Sequence, residues 1–270
     1  MADGRLTTTT HTALTATGGN YTIKVSPYGI PHRCLYSENI ENLYFAGRNI
    51  SMTHMAMSSA RVMGTCTTLG QAVGASVSIA VKEGLTPRQV GLNRINEVQQ
   101  ILLQNDCFLP NIPRKVREEN LQVAKDKYAV LVNGKDRNLY REENGLFVAS
   151  DEEIIYDFQK PVYVNKIKIV FNSDLERISF GDMDSCEKHR TMRCNILNDS
   201  PRMFVPKTLA KDFSLEIKYA DGRIEEKKFE SNLKRNLMIT VNEKIKAMKL
   251  VVYSNWGGTE KTQVFTFEII

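Results

Sequence analysis

The chain has 270 residues, 42% of them hydrophobic and 25% charged, a globular balance that excludes a disordered, collagen-like or coiled-coil protein. Its 36 basic and 31 acidic side chains leave a net charge of +5, too small an excess to form a nucleic-acid face, so no nucleic-acid partner is expected. The N-terminus lacks the apolar run of a signal peptide, and the most apolar helical stretch, Ala72 to Val81, is half the length of a bilayer crossing, so no membrane span is expected.

Residues 1–20 are rich in Thr and Gly, bury little and read as a frayed lead-in. Tyr21 to Val25 alternates like a strand, and Tyr28 to Tyr36 is a second extended piece bent at Pro31. Asn42 to Gly47 is a short apolar run stopped by glycine, which predicts a buried strand ending at a tight turn. From about Ser59 to Lys82 the period becomes helical, with Met63, Cys66, Leu69, Val73, Val77 and Ala80 spaced by three and four. Gly84 sits where a helix C′ glycine belongs. Thr86-Pro87 opens a second helix through Val90, Ile95, Val98, Ile101 and Leu102, which stops before Pro110.

After about residue 128 the texture becomes all-β. Alternating runs are expected as strands at Tyr128–Val132, Glu153–Phe158, Val162–Phe171, Phe213–Tyr219, Arg223–Phe229, Leu237–Val241, Ala247–Tyr253 and Gln263–Ile269, with turns at Asn133-Gly134, Ala220-Asp-Gly222 and Trp256-Gly-Gly258. This pattern predicts a β-sandwich or jelly roll. The change of texture near 115–127 marks a domain boundary, placed between residues 120 and 121.

The five cysteines, Cys34, Cys66, Cys107, Cys186 and Cys194, form no CxxC pair, so their spacing supports neither a disulfide framework nor an iron–sulfur cluster. Asp182, Asp184, Cys186, His189 and Cys194 make a loose cluster that reads as a polar loop, and no metal site is expected there.

One segment is more informative than the rest. Asn42-Leu-Tyr-Phe-Ala-Gly-Arg-Asn-Ile-Ser-Met-Thr-His-Met-Ala-Met-Ser-Ser-Ala-Arg-Val-Met-Gly-Thr-Cys-Thr-Thr-Leu-Gly-Gln-Ala-Val-Gly74 resembles the C-terminal FAD motif of the FAD-dependent oxidoreductase family, distant relatives of the fumarate reductase flavoproteins. Gly29-Ile-Pro-His-Arg-Cys-Leu35 resembles the stretch just upstream in that family. The resemblance implies FAD as cofactor and hydride transfer between flavin and a small-molecule substrate whose identity is not readable. It also implies that Gly47, Arg48, Asn49 and Ile50 touch the ribityl-pyrophosphate. Arg61, Val62, Met63 and Gly64 would then lie beside the isoalloxazine, with His54 and Arg61 as catalytic candidates. Arg33 is a weaker candidate for the same cavity, and Gly70 and Gly74 would let the helix pack closely on a strand.

The family's opening GxGxxG, which holds the ADP half of FAD, occurs nowhere in these 270 residues. The chain therefore looks like the C-terminal part of a longer, bacterial flavoenzyme, one that its appended domain suggests is exported. Alone it is expected to hold FAD poorly and to be inactive.

The second half resembles the galactose-binding-like (discoidin-type) sandwich appended to some members of that family, through Asn133 to Arg137, Ile154 to Phe158, Lys166 to Phe171, Lys249 to Tyr253 and Phe265 to Ile269. The overall expectation is α+β: a partial FAD-binding (glutathione reductase-like) domain followed by an all-β jelly-roll sandwich. The alternative is a carbohydrate- or surface-binding module with a vestigial flavin segment. In that reading Trp256, the only tryptophan, is the candidate platform for a glycan partner.

Overall fold

The computed structural model describes residues 5–8, 12–13, 23–24, 28–138, 142–175 and 205–270. The Thr/Gly lead-in lies largely outside the described residues, and the Asp182 to Cys194 cluster lies wholly outside them. The chain divides into two compact units, Met1–Lys115 and Val116–Ile270. Helices belong mainly to the first and a large antiparallel sheet to the second.

In the first unit, β1 (Arg5–Thr8) pairs with β4 (Tyr28–Pro31), and β2 (Thr12–Ala13) with β3 (Ile23–Lys24). Pro31 ends β4, and a 3-10 turn, His32–Leu35, follows. The predicted strand Asn42 to Gly47 does not form. Its pairing is a single bridge between Tyr36 and Tyr44, because the chain turns away at Gly47 before a ladder can grow.

The single helix expected from Ser59 is two helices, α1 (His54–Ala60) and α2 (Met63–Glu83). Thr53 caps α1 by accepting the Ala56 N–H (3.3 Å). The ladder then breaks at Arg61 and at Val62, whose extended backbone (φ −77°, ψ 151°) starts α2 afresh. Gly84 closes α2 in the left-handed region (φ 66°), as a C′ glycine should. The second predicted helix is also divided. Thr86 and Gln89 form a capping box on α3 (Pro87–Asn93), Arg94 leaves helical geometry, and α4 (Ile95–Gln104) continues. Leu69, Ala72, Ile79, Val90, Ile95, Val98 and Leu102 bury their side chains in one core with Ile30, Leu35 and Ile50.

Gly70 and Gly74 have no close neighbour: a Cβ added at either would meet nothing within 4 Å. Their helix face is open among the described residues, rather than pressed on a strand.

The second unit opens with α5 (Glu118–Val123) and a 3-10 turn, Asp126–Val132. The apolar run Tyr128 to Val132 is thus helical rather than a strand, burying Leu131 and Val132 through the tighter 3-10 spacing. Six strands follow: β5 (Leu146–Ala149), β6 (Glu153–Phe171), β7 (Ala210–Tyr219), β8 (Ile224–Phe229), β9 (Asn236–Asn255) and β10 (Lys261–Ile269). They form one antiparallel sheet in the order β5-β10-β6-β9-β7-β8.

Strands expected as pairs merge. The β6–β9 register shifts between Asp157 and Val162 and again between Val164 and Lys166. The first irregularity accommodates Pro161, which could not donate to a regular ladder. Across the shifts the inward positions change parity on β6, from Ile154, Tyr156, Phe158 and Val164 to Ile167, Ile169 and Phe171. All seven remain in one core.

Asn120 binds this unit's helical lead-in to its last strand. Its Nδ2 donates to Ile269 O (2.9 Å), and its Oδ1 accepts the Ile269 N–H (2.8 Å), all buried. Residues 116–120 accordingly fall in the second unit, slightly earlier than the boundary expected from texture. Asn120→Ala strands two buried backbone groups and should destabilise this unit by about 2 kcal/mol or more, read by urea denaturation. Tyr156 gives the opposite case. Its buried hydroxyl has no partner, and burial pushes its pKa far up. Tyr156→Phe should therefore be neutral or stabilising, by up to about 1 kcal/mol in the same assay.

Candidate functional site

The residues singled out by the flavin-type motif fall on one loop and on the junction of two helices in the first unit. The loop is anchored at both ends by the His32–Leu35 turn. Phe45 N–H donates to Leu35 O (2.7 Å), and Ser51 N–H donates to Cys34 O (2.9 Å). Between these anchors Gly47 adopts φ 102°, which side-chain-bearing residues rarely tolerate. Arg48 and Asn49 are exposed, and Ile50 drops into the core. The turn meets α2: a Cβ on Gly47 would lie 3.9 Å from both Cβ and Sγ of Cys66. Cys66 is half-buried, and its Sγ is 3.9 Å from Ala60 O, consistent with packing rather than redox duty.

His54 and Arg61 stand at opposite ends of α1, His54 as its first residue and Arg61 as its C-cap, both exposed. Arg61 has no ion-pair partner among the described residues. Val62 is the N-cap of α2, half-buried, and Met63 and Gly64 are exposed in its first turn. That helix start has no side-chain cap and no acidic residue in its first turn, so nothing of either kind offsets its first N–H groups and positive dipole end among the described residues.

Thr65, which motif reading did not single out, is completely buried, and its Oγ1 has no hydrogen-bond partner. Thr67 and Thr68 bond the carbonyls of Met63 and Gly64 four residues back (3.0 and 3.1 Å). Thr65 has no such recourse, because the residue four back, Arg61, lies before the helix. The signal available in sequence was a threonine in the third position of a helix, and recognising it required knowing where the helix starts.

These features suit the flavin end of FAD. The glycine turn allows close backbone approach, and the bare helix terminus and Arg61 favour negative charge. Among the described residues no group of three or more His, Cys, Asp or Glu could hold a metal, and no helix is long and apolar enough to cross a membrane.

In the second unit Trp256 is half-buried and packs against the core. Its indole N–H donates to Asn232 O (2.7 Å), its backbone N–H donates to Leu209 O (3.0 Å), and Lys211 Nζ stands 5.5 Å from the ring centroid. These contacts give the ring a structural task. Trp256→Ala should therefore cost about 3 kcal/mol or more of this unit's stability in denaturant melts. A folded Trp256→Ala of unchanged stability would count against that role.

Residues 6–102 match the model of the family described as FAD dependent oxidoreductase. No curated protein matches the chain. Among solved structures it is similar to the family 32 carbohydrate-binding module of Streptococcus pneumoniae EndoD, at 17% identity, 59% of this chain and 90% of that one, TM-score 0.34. A Clostridium perfringens family 32 module in complex with GalNAc-β-1,3-galactose is similar at 10% identity, 53% of this chain and 82% of that one, TM-score 0.32.

Proposed function

We propose that the first unit is the flavin-facing part of an FAD-dependent oxidoreductase, with the Gly47–Ile50 turn and the first turn of α2 as the contact surface. The observation that carries the reading is the α2 terminus. It has no side-chain cap and no acid in its first turn, and among the described residues the Arg61 before it has no ion-pair partner and the buried Thr65 hydroxyl has no hydrogen bond. The family match over residues 6–102 supports it.

Gly47, Arg48, Asn49 and Ile50 would hold the ribityl-pyrophosphate, and Arg61, Val62, Met63 and Gly64 the pyrimidine side of the ring. When bound, FAD supplies the hydride chemistry at its N5. The chain's own residues supply charge and placement. Arg61 and the helix dipole hold negative charge on the pyrimidine side, and exposed His54 is available to hold a proton for a substrate. Without a GxGxxG turn, tight dinucleotide binding requires that segment from elsewhere, in cis or on another chain. The substrate is a small molecule.

The 270-residue chain should therefore purify colourless and bind added FAD weakly. Together with a dinucleotide-binding βαβ segment it should turn yellow. In that assembly Arg61→Ala should lower the flavin reduction potential, and Arg61→Lys should do so less, because charge is kept while the planar fork is lost. Spectroelectrochemical titration reads both. Tight stoichiometric FAD in the chain alone, or a potential indifferent to Arg61, would sink this reading.

A further inference from the structure

Gly47 and its neighbours are held through His32–Leu35, and that turn contains a buried histidine in an unusual setting. His32 is almost completely buried. Its Nε2 lies 3.2 Å from Ser76 Oγ on α2. Ser76 Oγ donates its own proton to Ala72 O (2.9 Å), so it accepts from His32, and the neutral ring carries its proton on Nε2. The other nitrogen, Nδ1, therefore presents a bare lone pair, and it has no partner.

Nδ1 is also sealed in. On α3, Gly91 approaches so closely that an added Cβ would lie 2.7 Å from it. The remaining walls are the rings of Tyr36 (centroids 5.5 Å apart) and Tyr44 (6.0 Å, edge-on). Tyr44 OH is itself buried without a partner, and burial followed by the nearby Tyr36 pushes its pKa up to about 12, so it stays neutral. Ser76 from α2 and Gly91 from α3 bring no charge, and among the described residues the titratable groups facing the ring are the two tyrosines. No carboxylate among the described residues is placed to stabilise an imidazolium.

We propose that His32 is a proton-sensitive lock on the Gly47–Ile50 turn: protonation at Nδ1 separates the His32–Leu35 turn from α2 and α3, and with it frees the loop that this turn anchors. The route is short. A proton on Nδ1 puts a charged donor against Gly91 with no acceptor and no room for water. Relief requires the turn to move out, and Cys34 O and Leu35 O, which hold Ser51 and Phe45, move with it. As a control on flavin binding, the lock rests on the flavin reading of the turn. As a conformational property of the chain, it does not.

The sign follows from linkage. Burial lowers the His32 pKa from its ordinary 6.5 to about 4. Between those values the opened form takes up a proton that the closed form refuses, so closure weakens as pH falls from 6.5 towards 4 and is unaffected above. Between pH 7 and 5 the opening equilibrium should rise on the order of 20-fold.

The test is amide hydrogen exchange on the full chain at pH 7 and 5, expressed as protection factors, without flavin. The Phe45 and Ser51 amides and the amides of α3 should lose roughly 20-fold in protection in the wild-type chain, and His32→Gln should abolish most of that pH dependence. Equal pH dependence in His32→Gln overturns the lock. Loosening confined to α3, with Phe45 and Ser51 unchanged, overturns its transmission to the turn. Should His32→Gln fail to fold, NMR titration of the wild-type His32 ring decides. A midpoint near 4 supports the lock, and one near 6.5 refutes it. A failed flavin titration would leave all of these readouts unchanged.

Discussion

Two backbone hydrogen bonds, Phe45 N–H to Leu35 O and Ser51 N–H to Cys34 O, hold the Gly47 loop of the first unit in one shape. Between Phe45 and Ser51 the chain belongs to no strand, the Tyr36–Tyr44 bridge lying just before it, and each loop residue left free would carry about 1 kcal/mol or more of backbone entropy. The carbonyls that hold it come from a turn whose own position is set by burial: Leu35 is completely enclosed, and His32 nearly so. The order of dependence runs from core to turn to loop, so a change beneath the turn should be felt at Gly47.

The second unit solves a different problem, a sheet buried on both faces at its centre. On one side Ile167, Ile169 and Phe171 of β6 meet Phe267 and Ile269 of β10 in the apolar core. On the other, fully buried Lys168 faces Glu268 across the strands and lies 3.5 Å from Asp136, which also accepts a hydrogen bond from Thr266 (2.6 Å). Arg235 donates to the Asp136 carbonyl. Charges enclosed this way must be mutually satisfied, and their arrangement fixes where the loop carrying Asp136 sits. An apolar second face would have tolerated several positions for that loop, whereas this one specifies a single one.

Much of this was readable from residue patterns, and the failures share a cause. Gly84, the Thr86-Pro87 start and the alternation of β7, β8 and β10 follow from local rules, and the structure has them. The breaks at Arg61–Val62 and at Arg94 have only Gly64 and Gly91 nearby as weak signals, so the packing on either side was needed to place them. Asn42 to Gly47 has a strand's composition but no partner long enough to pair with it. The opposite error occurred on β6, where Glu153–Phe158 and Val162–Phe171 are expected as two strands and an irregularity joins them into one. Thr65 was invisible for the same reason as the helix break: its isolation depends on α2 starting two residues before it.

That break is also where local preference and the proposed role conflict most clearly. Met55 to Ala60 favours helix, and a continuous helix through Arg61 and Val62 would have satisfied every backbone group along it, although Gly64, Thr65, Thr67 and Thr68 just beyond are weak helix formers. Interrupting it leaves the N–H groups of Met63 and Gly64 without intrahelical acceptors and leaves the Thr65 hydroxyl unbonded, at a cost of about 1 kcal/mol or more for each group left buried. In return it places a positive helix terminus against the Gly47 turn, which an uninterrupted helix could not do. Departures from local preference tend to concentrate at functional sites, where the protein tolerates a local cost. Here the uncapped helix start, the unbonded Thr65 hydroxyl and the positive-φ Gly47 lie close together in the first unit, with Gly47 beside Cys66 of the first turn of α2.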